Sequence, residues 1–292
     1  MSIKTESKFG VIDIGSNSVR LMMSEGGKTL YKKVKITRLS EGFSDMLTLS
    51  VEAIERTASA VSDFYSLAEE NGAERIFAFA TEAVRKAKNR QAFLSCVKEK
   101  CGLNVEVLSG ETESEIGLIG ALNGKEGGII DIGGASTEIS VYKENKIVYA
   151  KSVDIGVVRI KDVCGQQESA QEPYIASKIK EFDSVPESRF FGIGGTATSI
   201  ASVMQELAVY DPDKVDGFVI KKDGLSALKS RLYKLSLEEK RNLTGLQKER
   251  AEVITGGVKE LEMIMEKLNL AEITVSERDN LEGYLALKTE KK

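Results

Sequence analysis

Two short segments of the chain share one pattern of hydrophobic and polar positions. Residues 10–23 read GVIDIGSNSVRLMM, and residues 128–141 read GIIDIGGASTEISV. In each segment an apolar strand ends in Asp-Ile-Gly, a small polar turn follows, and a second strand alternates apolar and polar residues. Asp13 and Asp131 are 118 residues apart, so the repeated unit has the size of a domain. The pattern predicts two related β-hairpins, one in each half of the chain.

Helical and extended patterns alternate outside these hairpins. Apolar residues at helical spacing predict helices over residues 51–68, 93–101, 111–122, 175–182, 197–207, 251–268 and 280–288. Short apolar runs predict strands over residues 28–34, 75–80, 105–108, 146–153, 190–193 and 273–275. Ser50 precedes the first helical pattern as a candidate N-cap. The order of elements predicts an α/β protein with two mixed sheets flanked by helices.

The chain is expected to form two domains. Asn123-Gly124 interrupts a helical pattern, and such a pair favours a break between elements. We therefore expect a first domain over residues 1–122 and a second over residues 123–278. The last helix, within residues 279–292, is expected to pack back on the first domain.

Composition limits the chemistry that the chain can perform. Of 292 residues, 41% are hydrophobic, 29% are charged and none is histidine. The lack of histidine excludes Ser-His-Asp and Cys-His catalysis and zinc bound by histidine. A general base is then expected to be Asp or Glu, less often Lys, Tyr or Cys. Oxygen ligands favour Mg2+ as a metal. Because the formal net charge is -4, a phosphate-rich ligand would need a local basic lining.

Three features of the sequence favour a cytoplasmic protein. No apolar run is long enough to span a bilayer, and residues 1–8 are polar rather than typical of a signal peptide. The three cysteines, Cys96, Cys101 and Cys164, form no CxxC pair, which fits buried thiols in a reducing compartment.

Three glycine-rich turns are candidate phosphate sites, because backbone amides in such turns act as fixed partial positive charges. One lies in each hairpin, and the third joins a predicted strand to a predicted helix. Their candidate residues are Gly15, Ser16, Asn17, Ser18, Gly133, Gly134, Ser136, Thr137, Gly194, Gly195 and Thr196. A single turn of this kind is often only a turn. The three together, two of them related by the repeat, favour a two-sided phosphate clamp.

Acidic residues lie beside these turns, and each allows two interpretations. If the strands of the second hairpin pair, the carboxylates of Asp131 and Glu138 lie near one turn and can hold Mg2+. Alternatively, Asp131 caps the turn by accepting hydrogen bonds from backbone amides. Asp13 allows the same two interpretations. The acids within residues 109–115 either complement the dipole of a helix N-terminus, which periodicity favours, or include a residue that orients water.

Basic residues supply a further candidate. Arg85 follows a predicted strand and can bind phosphate through two parallel hydrogen bonds. The other basic residues of interest are more typical of a solvated surface; they are Lys28, Lys32, Lys33, Lys35, Arg38, Lys86, Lys88 and Arg90.

Eight segments, in order along nearly the whole chain, resemble the exopolyphosphatase and guanosine-pentaphosphate phosphatase family. They are GVIDIGSNSVRLM, FAFATEAVRKA, VLSGETESEIGL, GGIIDIGGASTEIS, DIGVVRIKD, FFGIGGTATSIA, RAEVITGG and ITVSERDNLEGYL. This family belongs to the superfamily of acetate kinase, sugar kinases, heat-shock chaperone ATPases and actin. The resemblance implies two duplicated actin-like (ribonuclease H-like) domains with a cleft between them. It also implies hydrolysis of the terminal phosphoanhydride of inorganic polyphosphate, with Mg2+ as cofactor.

The resemblance also implies roles for individual residues. Glu113 matches the glutamate that activates water, and Arg85 matches the arginine that grips the substrate. Asp131 and Glu138 match the acids associated with Mg2+. The turns at residues 15–18, 133–137 and 194–196 match the family's phosphate-binding loops.

This chain departs from the family pattern at four places. Thr112 replaces the first glutamate of an acidic pair, Ala135 replaces a glycine, and Asn280-Leu281 replaces Leu-Arg. Longer members carry a further helical region after the point at which this sequence ends. We therefore expect the extended basic channel that supports processive digestion to be absent.

Several alternatives stay open at this point. The same phosphate site would serve guanosine pentaphosphate as well as polyphosphate. A non-catalytic sensor of polyphosphate or an alarmone is a second class, and an actin-like filament scaffold or an ATP-dependent kinase is less favoured. The expected partners are one of the two phosphate ligands, without nucleic acid or membrane, and a homodimer is left open.

Overall fold

The structure is a computed structural model of the chain, and it describes residues 7–41 and 47–289. They divide into two compact units. The first lies within Met1–Gly120 and Asn280–Lys292, and the second within Ala121–Asp279.

The elements are numbered in chain order. The strands are β1 (Lys8–Ile14), β2 (Ser18–Glu25), β3 (Lys28–Ile36), β4 (Arg75–Ala80), β5 (Glu106–Val107), β6 (Gly127–Ile132), β7 (Thr137–Lys143), β8 (Lys146–Val153), β9 (Phe190–Ile193), β10 (Val219–Lys221) and β11 (Glu272–Val275). The helices are α1 (Val51–Glu70), α2 (Glu82–Lys86), α3 (Arg90–Cys101), α4 (Gly110–Leu122), α5 (Val157–Cys164), α6 (Glu168–Ile179), α7 (Gly194–Met204), α8 (Pro212–Val215), α9 (Lys222–Lys234), α10 (Leu237–Arg241), α11 (Ile254–Lys267) and α12 (Asn280–Thr289). A short 3-10 turn covers Lys248–Arg250.

The two sheets repeat one plan. In the first unit the strand order is β3-β2-β1-β4-β5, and in the second it is β10-β11-β9-β6-β7-β8. In each unit three consecutive strands pair antiparallel, and the first of them also pairs parallel with the next strand along the chain, β4 or β9. This arrangement confirms the predicted α/β class with mixed sheets and the predicted pair of hairpins.

Both faces of the first sheet are buried. Ile12 and Ile14 of β1 pack on the face that α1 and α3 cover, whereas Val11, one residue out of phase, packs with Ile116 of α4 and Tyr284 of α12. This alternation follows from the two-residue period of a strand. Ser50 caps α1 as predicted, since its hydroxyl accepts a hydrogen bond of 3.1 Å from the Ala53 amide.

The second unit has its own core, built around one long helix. The core joins residues of β6, β7 and β9 to those of α5, α7, α9 and α11. Within α11, Lys259, Glu260 and Glu262 are buried together with apolar residues. The helices covering this sheet therefore bury charged groups that need partners within the unit.

The structure differs from the predicted elements at several places. The elements α2, α5, α8, α9, α10 and β10 were not predicted, and α6 begins at Glu168 rather than at residue 175. Helix α7 begins at Gly194 rather than at residue 197, because glycines hide a helix start from an argument based on apolar spacing. Helix α9 was not predicted, although Leu225, Leu228 and Leu232 lie buried at helical spacing. Among the described residues, no helix combines the length and the apolar character needed to cross a bilayer.

Candidate functional site

The turn of the first hairpin is held by backbone hydrogen bonds within the hairpin and to the segment that follows β3. The Gly15 amide donates to the Ser18 carbonyl at 2.9 Å, which closes the turn between β1 and β2. The Ser16 and Asn17 carbonyls accept hydrogen bonds from backbone amides of residues 37–40. Both residues are buried, and Nδ2 of Asn17 has no hydrogen-bond partner within the described part of the chain. A buried amide donor of this kind is suited to an oxygen acceptor supplied by a ligand.

Asp13 forms an ion pair across the first hairpin. It stands opposite Arg20 in the β1–β2 register, and Nε of Arg20 donates to its carboxylate at 2.9 Å. The structure thus favours neither of the two interpretations offered for Asp13. Its carboxylate is neutralised by an arginine of the neighbouring strand.

The second hairpin carries two acids at the same register. Asp131 of β6 stands opposite Glu138 of β7, which is the place that Asp13 and Arg20 occupy in the first hairpin. Glu138 is 2% exposed, and the Ser152 hydroxyl donates to its carboxylate at 2.5 Å. Like charges directly opposite each other on neighbouring strands are destabilising. A buried acid opposite a half-buried one at this position therefore favours a bound cation.

The turn of the second hairpin is braced by α5. The Gly133 amide donates to the Ser136 carbonyl at 2.9 Å, as in the first hairpin. The amides of Val157 and Val158, at the start of α5, donate to the carbonyls of Gly133 and Gly134 at 3.0 and 2.8 Å. A side chain at Gly156 would lie 2.7 Å from the Gly133 carbonyl oxygen. Only glycine permits this close approach of α5 to the turn.

The third glycine-rich segment forms the first turn of α7 rather than a loop. A Cβ at Gly194 would lie 2.5 Å from Oδ1 of Asp131, so that carboxylate lies against the helix N-terminus. A Cβ at Gly195 would collide with the guanidinium group of Arg250. The Thr196 hydroxyl donates to the Ile132 carbonyl at 2.7 Å. These contacts bring Asp131, Arg250 and the start of α7 together within the second unit.

Glu113 lies in the first unit, paired with Arg85. Nη1 of Arg85 donates to Oε2 of Glu113 at 3.0 Å and to the Leu108 carbonyl at 2.8 Å. Ser109 begins α4 by accepting from the Thr112 amide through its hydroxyl and from the Glu113 amide through its carbonyl. The pairing connects two candidate residues that are 28 positions apart in sequence.

The three acids of this run differ in exposure. Glu111 and Glu115 are exposed, whereas Glu113 is 6% exposed. The two exposed acids suit the favourable charge at a helix N-terminus. Burial and the bond to Arg85 separate Glu113 from them, which favours a chemical role over a purely helical one.

Two residues near these turns were not assigned by the sequence argument. Arg250 lies within the quoted segment RAEVITGG but was given no role. Glu260 of α11 is 0% exposed, and its Oε1 lies 2.5 Å from the Thr137 hydroxyl. Burial raises the pKa of Glu260 to about 8, although the bond to Thr137 opposes this rise. A polar residue on a predicted amphipathic helix gives no local signal that it will be buried.

Comparison with known proteins now adds to this geometry. Residues 8–291 match the family model described as the Ppx/GppA phosphatase family. The chain belongs to this family. Exopolyphosphatase 2 of Mycobacterium tuberculosis is 29% identical and aligns with 95% of this chain and 97% of its own length. A guanosine-5'-triphosphate,3'-diphosphate pyrophosphatase of Photobacterium profundum is 26% identical and aligns with 92% of this chain but only 56% of its own length.

Solved structures agree with the family assignment. The Ppx/GppA family member of Aquifex aeolicus is 29% identical, with a TM-score of 0.79 over 98% of this chain and 99% of its own. An exopolyphosphatase of Cytophaga hutchinsonii is 22% identical, with a TM-score of 0.86 over 97% of this chain and 98% of its own, and shows likeness of fold. The predicted two-domain actin-like fold of the Ppx/GppA family is confirmed.

Proposed function

We propose that this Ppx/GppA phosphatase is an exopolyphosphatase that hydrolyses the terminal phosphoanhydride of inorganic polyphosphate and releases orthophosphate. The observation that carries the proposal is the pairing of Asp131 with Glu138 beside a glycine turn. The related hairpin pairs Asp13 with Arg20 at that place. A buried and a half-buried acid next to candidate phosphate-binding amides suit a metal–phosphate complex better than either ligand alone.

Glu113 is proposed as the general base. Arg85 fixes its carboxylate through a hydrogen bond of 3.0 Å and is itself anchored on the Leu108 carbonyl. A carboxylate held in this way can accept the proton of a water molecule as its oxygen attacks the terminal phosphorus. Phosphoryl transfer depends mainly on positioning and charge stabilisation. A well-placed general base contributes roughly 100- to 10,000-fold to the rate.

The residues present fit Mg2+. Asp131 and Glu138 would supply two carboxylate groups. Among the described residues, no third acidic, Cys or His side chain joins them in a cluster. Mg2+ is commonly held by one or two carboxylates with waters and phosphate oxygens as its other ligands. When bound, it would neutralise charge on the phosphate oxygens.

The Gly15 and Gly133 amides close their turns by donating to the Ser18 and Ser136 carbonyls. The main-chain amides proposed to bind phosphate are therefore those of Gly134 and of Gly194 and Gly195 at the N-terminus of α7. The hydroxyls of Ser16, Ser18 and Ser136 and the Asn17 amide add donors. The Thr137 and Thr196 hydroxyls are already bonded to protein carbonyl groups. We therefore assign these two side chains to holding the turns in place.

Guanosine pentaphosphate is the second candidate substrate, since a relative in this family is named a guanosine-5'-triphosphate,3'-diphosphate pyrophosphatase. The test is release of orthophosphate from short polyphosphate, long polyphosphate and guanosine pentaphosphate, each with Mg2+ or with EDTA. We expect Mg2+-dependent release, with polyphosphate hydrolysed faster. Faster release from guanosine pentaphosphate would favour the second candidate, and no release from any of them would favour a sensor.

The site of action is proposed to be the cytoplasm. The three cysteines are free thiols in the structure, as is usual for proteins of a reducing compartment. Fractionation of cells that produce the protein at its natural level tests this proposal.

A further inference from the structure

Glu260 is a buried carboxyl group that the proposed reaction does not use. It projects from α11, is 0% exposed, and lies 2.5 Å from the Thr137 hydroxyl at the start of β7. Within the described residues its second oxygen, Oε2, has no hydrogen-bond partner. A charged carboxylate in such surroundings would be costly, so its place beside the second glycine turn calls for a physical explanation.

The hydrogen bonds around Thr137 indicate which group carries the proton. The Thr137 hydroxyl lies 2.9 Å from the Ile155 carbonyl oxygen and 2.5 Å from Glu260. A carbonyl can only accept a hydrogen bond, and a threonine hydroxyl has one proton to donate. Both bonds form fully when Thr137 donates to Ile155 and a protonated Glu260 donates to Thr137. Burial raises the pKa of Glu260 and so favours a proton on this carboxyl group, whereas a hydrogen bond donated by Thr137 to the charged carboxylate lowers it.

The other charged groups near Glu260 have partners elsewhere. On the same helix, Lys259 bonds to Glu168 and Glu172 of α6, and Glu262 bonds to Lys229 and Ser226 of α9. From β7 it is Glu138 that acts on Glu260 electrostatically, and from α6 it is Tyr174, whose own pKa Glu260 helps to raise. Thr137 is therefore the partner through which Glu260 acts on the hairpin.

The bond from Glu260 adds to a ring of contacts around the turn. Thr137 follows the turn directly and holds Ile155, which precedes Gly156 at the start of α5. The first amide of α5, that of Val157, then returns to the Gly133 carbonyl at 3.0 Å. In this ring Glu260 supplies the contact from α11.

We propose that Glu260 is a positioning residue that fixes the second glycine turn and the adjoining Glu138 carboxylate by holding Thr137. The inference rests on the proposed function for its effect on turnover, but the bond itself can be tested without hydrolysis. A glutamine at this position can also donate to Thr137, whereas leucine fills a similar volume without any hydrogen bond.

The activity test compares Glu260→Gln, Glu260→Leu and the control Glu262→Gln, which changes another buried acid two residues along α11. We expect Glu260→Gln to keep kcat within about twofold, and Glu260→Leu to lower kcat for polyphosphate by about tenfold or more, because a small misplacement of a site group is costly. Glu262→Gln should keep kcat and lose only stability. Wild-type kcat in a folded Glu260→Leu variant would overturn the proposal.

The second test measures hydrogen–deuterium exchange of a peptide covering residues 132–141, without substrate. Exchange should be faster in Glu260→Leu than in the wild type and unchanged in Glu260→Gln and Glu262→Gln. If Glu260→Leu does not fold, Thr137→Val removes this bond together with the one to Ile155 and should accelerate exchange as well. Wild-type exchange in the folded leucine variant, or in the valine variant when leucine does not fold, would reject the positioning role. A wild type that releases no phosphate would reject the proposed function while leaving this test intact.

Discussion

At the scale of single residues, the surroundings of a side chain decide what its chemistry can be. Glu111, Glu113 and Glu115 occupy one turn of α4 and are chemically identical, yet only Glu113 is buried and bonded to Arg85. Asp13 and Asp131 likewise end related strands, but one stands opposite Arg20 and the other opposite Glu138. In both cases the partner, rather than the residue type, separates a candidate site residue from its neighbours.

The role of Glu113 is tested by Glu113→Gln. We expect kcat for phosphate release to fall by at least about 100-fold, since glutamine cannot accept the proton of water. Binding of polyphosphate, measured by calorimetry, should persist because the glycine turns are unchanged. Glu115→Gln is the matched control, as Glu115 is exposed on the same helix, and it should behave as the wild type. Near-normal turnover of Glu113→Gln would remove Glu113 from the role of base.

Glu260 also predicts how stability depends on pH. Its pKa is raised from 4.5 to about 8 in the folded protein, so between these values the folded state binds more protons than the unfolded state. The contribution of Glu260 is therefore fully present below about pH 4.5 and is lost as the pH rises through 8. Urea unfolding from pH 5 to 9 should show a steeper loss of stability in the wild type than in Glu260→Gln.

The control for this pH experiment is Glu266→Gln, which changes an exposed acid on the same helix. It should keep the pH dependence of the wild type. If Glu260→Gln also keeps it, the proton on Glu260 does not contribute to folding in this range.

At the scale of elements, close helix packing supports the segment that carries Glu113. Helix α12 crosses α4 at Gly283, where an added Cβ would collide with the Ile116 carbonyl. Ile116 lies one turn after Glu113 on α4, so a shift of that helix moves the candidate base. Glu282, next to Gly283, also bonds to Thr29 and Lys32 of β3. The contacts of α12 thus stabilise both the sheet and α4 within the first unit.

Gly283→Ala tests this packing. Because the collision is with backbone, which cannot rotate away, we expect the free energy of unfolding to fall by about 1–3 kcal/mol or more. Gly224→Ala in α9 is the control, since the added Cβ would meet only the terminal methyl of Met204, and alanine favours helix. Denaturant titration of both variants gives the comparison. Equal stability of the two would show that α12 and α4 adjust without cost.

At the scale of the whole molecule, the duplication has produced two hairpins of unlike charge. The first pairs its aspartate with Arg20, whereas the second places two acids opposite each other. Under the proposed function, Mg2+ is expected at the second hairpin and not at the first. The Mg2+ requirement of the reaction is therefore expected to depend on Asp131 and not on Asp13.

Removal of the metal tests this difference. EDTA should abolish phosphate release, and added Mg2+ should restore it. Asp131→Asn should raise the Mg2+ concentration for half-maximal activity by about tenfold or more, in keeping with the effect of lost metal-site groups. Asp13→Asn, the equivalent change in the first hairpin, should leave that concentration unchanged. Full activity in EDTA, or equal Mg2+ dependence of the two variants, would contradict the assignment.

The sequence by itself determined the features that depend on local order. Neighbouring positions along the chain show the two-residue period of the hairpins, the helical spacing after Ser50 and the glycine turns. The α/β class and the duplication were therefore predictable. The family segments were also readable in order, and they pointed to Glu113, Arg85, Asp131 and Glu138. Helix α9 was equally readable from its leucine spacing and was missed.

The tertiary structure alone decided which of these residues meet. The bond between Arg85 and Glu113, the contact of Asp131 with Gly194, and the bond of Glu260 to Thr137 join positions from 28 to 123 residues apart. Periodicity records only which face of an element is apolar, and it carries no information about distant partners. Burial and charge pairing arise when the chain closes on itself, and burial raises the pKa of a common acid such as Glu260 beside the second glycine turn.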